Sequence, residues 1–373
     1  MTYSRYLFQA SNIFLMGFQS FILPALVGFS SYGKAMLYLA PIYLYQSLLE
    51  PVFQGIYGSR VSTAGAGSQR RKLDLKILGL ALLGLCISAF IVLLFFEGDI
   101  FIFTMLLLVG FLYLYVTNIQ AFLLFEEQYF FVGISIFISV AFYFSAYFVV
   151  GLDFWFLLWG NLFYFGVLSL LLTIRLFCFR VGASFLADFG WRDFWGHMST
   201  RAAYVFSSNG LVILFGIVGY SPEKVGIFRF SLSLMNAGRY FNPIPIVAIQ
   251  KAISNFTSGR EERALKNMLL RFVSFSTLYG VVLFIGWAIY NRLQKGSVEF
   301  NYIFLLVPIY LLIQPIGYFL ALKGYLARQL FYFFLSALLA VSASFYSMWL
   351  SFACMLVAVF SMTLILVFRA KNI

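Results

Sequence analysis

The chain has 373 residues, of which 63% are apolar and only 10% charged. A water-soluble globular domain carries about 25% charged residues, so that class is excluded. Continuous apolar runs, in place of short strictly alternating segments, exclude an outer-membrane barrel as well.

Twelve stretches are long and apolar enough to cross a bilayer as helices: 7 to 28, 35 to 55, 76 to 96, 100 to 121, 130 to 150, 154 to 174, 203 to 220, 225 to 250, 272 to 290, 301 to 321, 329 to 346 and 348 to 368. The fold class is therefore an all-α polytopic membrane protein. The first stretch follows Arg5 and is interrupted by Gln9, Asn12, Gln19 and Pro24 without a small-residue cleavage site, so it reads as a retained helix and not as a signal peptide. The second is expected to be broken by Pro41 and Pro51. Two loops are longer than the rest, 58 to 75 and 176 to 202, and the second divides the spans into two sets of six. The expected domains are an N-terminal six-helix lobe, 1 to 180, a linker, 181 to 202, and a C-terminal six-helix lobe, 203 to 373. Trp191, Trp195 and Met198 at i, i+4, i+7 make the linker an amphipathic helix for the inner interface. The eighth span should kink where Pro243 and Pro245 lack amides, and the basic segment 258 to 271 should extend the ninth helix into the cytoplasm.

Charge sets the orientation. With the N-terminus inside, the inner loops hold nineteen lysines and arginines and the outer loops only Lys34, Lys224, Arg292 and Lys295. That asymmetry predicts both termini in the cytoplasm, and it attributes the net charge of +12 to topology and anionic headgroups, not to nucleic acid. Cys86, Cys178 and Cys354 have no metal-ligand spacing and no outer-loop pair, so neither a disulfide framework nor a metal site is expected, and no cofactor.

The halves repeat weakly. Ala10-Ser11-Asn12 matches Ser207-Ser208-Asn209, Tyr32-Gly33 matches Val225-Gly226, and Pro51 matches Pro243. Six spans per repeat give a parallel repeat with its pseudo-two-fold along the membrane normal.

Polar residues collect on the first two helices of each half. The first has Gln9, Asn12 and Gln19; the second Tyr43, Gln46, Glu50, Gln54 and Tyr57; the seventh Arg201, Tyr204, Ser208 and Asn209; the eighth Arg229, Ser233, Asn236, Arg239 and Tyr240. Each set falls near one helical face, which suits the lining of an aqueous cavity. For any single member the alternative is an interhelical hydrogen bond of about 0.6 kcal/mol. A guanidinium in hydrocarbon costs at least ~2.5 kcal/mol, so Arg229 and Arg239 call for a watery cavity or a partner, although Arg229 is close enough to the outer end to snorkel. Glu50, the sole acid inside a span, is a candidate for ion coupling or a counter-ion. Counted from Gly33 and Gly226, Glu50 and Arg239 differ in depth by only ~6 Å, so a pair between them is expected in the empty carrier.

Catalysis has little support. His197, the only histidine, lies in the linker, and the acidic Glu97-Gly98-Asp99 turn reads equally as a solvated loop.

The stretch Val225-Gly-Ile-Phe-Arg-Phe-Ser-Leu-Ser-Leu234 onward through Pro243 to Lys251, with the basic segment ending at Arg271 and with Ser31-Tyr-Gly33 after the first span, resembles the oligosaccharide-repeat (Wzx-like) flippases. These belong to the multidrug, oligosaccharidyl-lipid and polysaccharide exporter superfamily. The resemblance implies a monomer in the bacterial inner membrane that flips an undecaprenyl pyrophosphate-linked oligosaccharide to the outer leaflet by alternating access. It implies a central cationic cavity with Arg229, Arg239 and Arg201 as substrate ligands, and membrane lipids and a polysaccharide polymerase complex as partners. A small-molecule or multidrug exporter of the same fold is the alternative, and an intramembrane glycan-processing enzyme a distant third. The first helix lacks the acid that multidrug exporters of this superfamily often carry.

Overall fold

The structure, a computed structural model, describes residues 2–58, 82–87, 90, 92, 94, 100–125, 128–178, 202, 205–244, 249, 262–293, 302–322 and 326–371. Every regular element among them is helical, and each of the twelve expected spans has helical backbone. Among the described residues four helices are long and apolar enough to cross a membrane on their own: Ile100–Leu124, Tyr129–Val150, Phe154–Phe177 and Leu265–Ile289. Arg201, the 181 to 202 linker, the 97 to 99 turn and the side chains of Gln54, Tyr57 and Tyr240 lie outside the described residues, apart from the backbones of residues 54, 57, 240 and 202.

Two compact units result, Met1–Met198 with Gly219–Arg229, and Ser199–Val218 with Phe230–Ile373. The division passes through the eighth helix, Pro222–Phe241, whose first residues, to Arg229, belong to the first unit.

In the first unit, Thr2–Gly17 continues through a π-helical turn, Phe18–Ile22, into Leu23–Gly58. The only non-helical residue in that last element is Gly28, at φ 79° and ψ 156°. Only glycine reaches that backbone region without strain, and it separates the first span from the second in a single residue. The second span is not broken at Pro41 or Pro51: its backbone is helical from Phe29 to Gly58. In a transmembrane bundle, neighbouring groups re-satisfy the carbonyl that a proline frees, so the expected interruption does not follow. Thr2–Gly17 packs on Tyr129–Tyr143, which packs on Phe154–Cys178, which in turn packs on Ile100–Phe125. Their core is aromatic: the buried Tyr143 ring meets Phe18 edge-on at 5.1 Å and Phe156 at 5.5 Å. At one end Arg175 donates through Nε and Nη2 to Gln128 Oε1, at 3.3 and 2.7 Å, and lies over the Phe131 ring. It thus holds the ends of the fifth and sixth helices together.

In the second unit, Leu326–Ser344 packs on Met348–Lys371, and Val307–Leu322 packs on both Met348–Lys371 and Glu262–Leu293. The Ser351 hydroxyl donates to the Ala340 carbonyl at 2.7 Å and ties the last two helices. The ninth helix begins at Glu262, as the basic segment suggested, and runs to Leu293. Only 17% of its spanning window is buried, against 50% for Phe154–Phe177. Leu278, Val282, Ile285 and Ile289, all exposed, recur at i, i+4, i+7, i+11 and form a lipid-facing stripe.

The eighth helix is interrupted where Pro243 was expected to kink it, and Ile249 beyond the break is helical again. Its regular part ends at Phe241, and the Asn242 side chain takes over: Oδ1 accepts from Ile244 N at 3.0 Å, while Nδ2 donates to the Phe272 carbonyl at 3.3 Å and Ser276 Oγ at 3.2 Å. Pro243 cannot supply the next helical amide, so the asparagine terminates the helix and anchors its end to the ninth. The other end is started by Ser221, whose Oγ accepts from Lys224 N at 3.4 Å, with Pro222 at the first helical position.

Candidate functional site

The sequence repeat has a structural counterpart in each unit. Ser11 Oγ donates to the Phe8 carbonyl at 2.8 Å, and Ser208 Oγ to the Val205 carbonyl at 2.9 Å, so the matched serines make the same i−3 bond. Each first helix also contains a π-helical turn, Phe18–Ile22 in one and Phe206–Gly210 in the other. Each is followed by a turn on a left-handed glycine, Gly28 and Gly219. A π turn leaves a backbone carbonyl out of the i→i+4 ladder and recurs at functional positions. Gln19 lies in the first of these turns and Ser208 and Asn209 in the second. Gln9 and Asn12 precede the first turn in regular α-helix and keep their 3.6-residue spacing, whereas the extra residue shifts the helical phase of the side chains after Ile22.

Within the first unit the second helix carries the chemistry. Tyr43 donates to Asn161 Oδ1 at 2.8 Å, and Asn161 Nδ2 donates to the Leu157 carbonyl at 2.7 Å. One turn on, Gln46 is 3% exposed and its Nε2 donates to the Gly110 carbonyl at 2.5 Å, a helix-to-helix bond. The Tyr43 ring meets the Tyr113 ring edge-on at 5.9 Å. Tyr113 stacks on Phe165 at 4.7 Å, and Tyr164 interacts with both Tyr113 and Tyr43. Gln9 is exposed, whereas Asn12 is half-buried and donates to the Phe8 carbonyl at 2.9 Å. Glu50, half-buried, belongs to this unit too.

In the second unit Ser207, Ser208, Asn209 and Ser233 are buried, while Asn236 and Arg239 are half-buried. The Nε and Nη2 atoms of Arg239 are shielded from solvent. The Tyr279 hydroxyl donates to the Leu234 carbonyl at 2.8 Å and fixes the eighth helix against the ninth beside these residues. Measured from Pro222 at the top of the eighth helix, Arg229 lies roughly 10 Å down and Arg239 roughly 25 Å down.

The structure thus joins Tyr43, singled out by the sequence, to Asn161 and Tyr113, which helical periodicity did not select. The one available signal for Asn161 was that it is the only amide in the sixth span.

Over 99% of this chain and 94% of the other, the structure is similar to the crystal structure of the eukaryotic MATE transporter AtDTX14, with a TM-score of 0.53 and 15% sequence identity. No protein-family model and no curated protein matches the sequence. The likeness extends to the fold: the chain is a multi-pass, all-helical membrane protein with a MATE-transporter-like architecture.

Proposed function

We propose that this protein is an exporter, not an enzyme, that moves a substrate with an anionic head group across the membrane by alternating access. Transport is supported by the likeness of fold along the whole chain. An anionic substrate is supported by Arg229, a half-buried guanidinium within an apolar span. The cargo we infer is an undecaprenyl pyrophosphate-linked oligosaccharide, with Arg229 and Arg239 as phosphate ligands and Arg201 in support. Its partners are then bilayer lipids and a polysaccharide polymerase complex, its site the bacterial inner membrane, and its state monomeric. A small-molecule exporter is the second reading, favoured by the structural neighbour's being a MATE transporter.

One experiment separates them. Surface glycan and efflux of a fluorescent drug are measured in cells lacking the native gene and supplied with wild type, Arg229→Ala, Arg239→Ala, or the double variant at matched abundance. Flipping requires restored glycan with wild type and its loss in the double variant, the lysine substitutions keeping part of the activity because they retain charge without the bidentate fork. Restored drug efflux with no glycan establishes the small-molecule reading. Full glycan export by the double variant refutes the cationic ligands.

A further inference from the structure

We propose that Gly33 and Gly226 form a gate across one mouth of the transport path, a backbone seal between the second and eighth helices that parts when that mouth opens. The inference rests on the exporter reading and deepens it by placing the closure on named residues. The two glycines are matched positions of the sequence repeat, and their contact is reciprocal. A Cβ on Gly33 would strike the Pro222 carbonyl oxygen, four residues before Gly226, and one on Gly226 would strike the Phe29 carbonyl oxygen, four residues before Gly33. Each glycine thus meets the equivalent atom of the other repeat, the pattern of an isologous contact on a two-fold axis. The axis of a parallel repeat runs along the membrane normal, so a path between the repeats is crossed by this contact.

The contact is built to hold without locking. In place of a Cβ each glycine turns a Cα–H bond toward the facing carbonyl, and such bonds are weaker than an N–H···O bond. Both glycines are buried, as are Tyr32 and Val225 before them, while Lys34 and Lys224 beside them are exposed, so the pair lies at the boundary between surface and interior. Each helical hairpin turns on one residue near the contact: Gly28 before Gly33 and Gly219 before Gly226, both at positive φ and with open space where a Cβ would be. The eighth helix supplies the lever. Its residues to Arg229 pack with the first unit and those from Phe230 with the second, so a shift of its far part is carried along one continuous helix to Gly226. Arg229 follows Gly226 by three residues, roughly 5 Å along the axis, which puts the gate one turn from the cation assigned to the cargo.

The test reads opening with a charged maleimide on protein purified in detergent, in which Cys86, Cys178 and Cys354 are replaced by serine and one reporter cysteine is added. Each variant is first shown to melt cooperatively. Leu37→Cys reports the gate, since Leu37 is buried one turn below Gly33 on the same face. Ile136→Cys, at a buried position of the fifth helix, reports general loosening. Leu37→Cys should react slowly in the parent, and Gly33→Ala or Gly226→Ala should speed it about tenfold, because parting relieves the overpacking and shifts the balance of closed and open forms. Ile136→Cys should stay protected throughout, and Gly166→Ala, with nothing within 4 Å of its Cβ, should change neither rate. Unchanged labelling at Leu37→Cys, or equal rises at both reporters, overturns the gate, since the glycines are then static packing. The labelling needs no cargo, so that result leaves the exporter reading standing, whereas a wild type that exports neither glycan nor drug overturns that reading and the gate with it.

Discussion

Gly33 and Gly226 offer the sharpest steric test of the fold. Both belong to the first unit, Gly33 on the second helix and Gly226 on the eighth, and there the two backbones touch. A Cβ on Gly33 would sit 1.7 Å from the Pro222 carbonyl oxygen and 2.6 Å from Gly226 N, and one on Gly226 would sit 2.1 Å from the Phe29 carbonyl oxygen. Real Cβ contacts essentially never fall below 3.0 Å, so the helices must part by more than an ångström, and the obstructing atoms are backbone that no rotamer change can move. Small residues drive helix association in lipid by permitting such approach, and overpacking of this kind costs roughly 1–3 kcal/mol. The gain in helix propensity from Gly to Ala, about 1 kcal/mol, offsets only part of it. Gly166 is the control, since nothing lies within 4 Å of a Cβ there. In thermal unfolding of detergent-purified protein, Gly33→Ala and Gly226→Ala should each melt a few degrees below wild type, and Gly166→Ala at or above it. The double variant should lose less than the sum, because the first alanine already opens the gap that the second needs. Gly33→Ala as stable as Gly166→Ala would refute the contact.

Three further outcomes are expected. Cysteines at Ser31 and Ser297 should react with an impermeant thiol reagent in intact cells while those at Ser68, Ser258 and Asn372 stay protected; labelling at Ser258 without labelling at Ser297 would invert the topology. Asn242→Leu should lower stability by about 1–2 kcal/mol in denaturant titration, since it removes the bonds to the Phe272 carbonyl and Ser276 and unfastens the end of the eighth helix, whereas Ser351→Ala, which loses one interhelical bond, should cost about 0.6 kcal/mol. Arg175→Ala should destabilise the protein without changing pyrophosphate affinity, because its guanidinium is committed to Gln128 and Phe131; reduced affinity at unchanged stability would show that this arginine too serves the substrate.

Helical class and the positions of the spans follow from sequence alone because the bilayer imposes a local rule: a backbone in hydrocarbon must satisfy its own hydrogen bonds within one helix. The capping serine and proline at 221 and 222 and the halt before Pro243 are equally local, each set by which amides are present. Tertiary structure decided what depends on partners far along the chain. Pro41 was read as a break, yet the helix runs through it, because the cost of a missing amide is set by the neighbours and not by proline itself. Gln46 has the spacing of a cavity residue, but its bond to the Gly110 carbonyl depends on a helix 64 residues away. The π turns at Phe18–Ile22 and Phe206–Gly210 carry no proline that names them, and they shift the face on which the later side chains fall. The Tyr43–Asn161 bond spans 118 residues. No periodicity within either helix encodes it, since a hydrogen bond between helices is specified only when packing fixes the rotation of both.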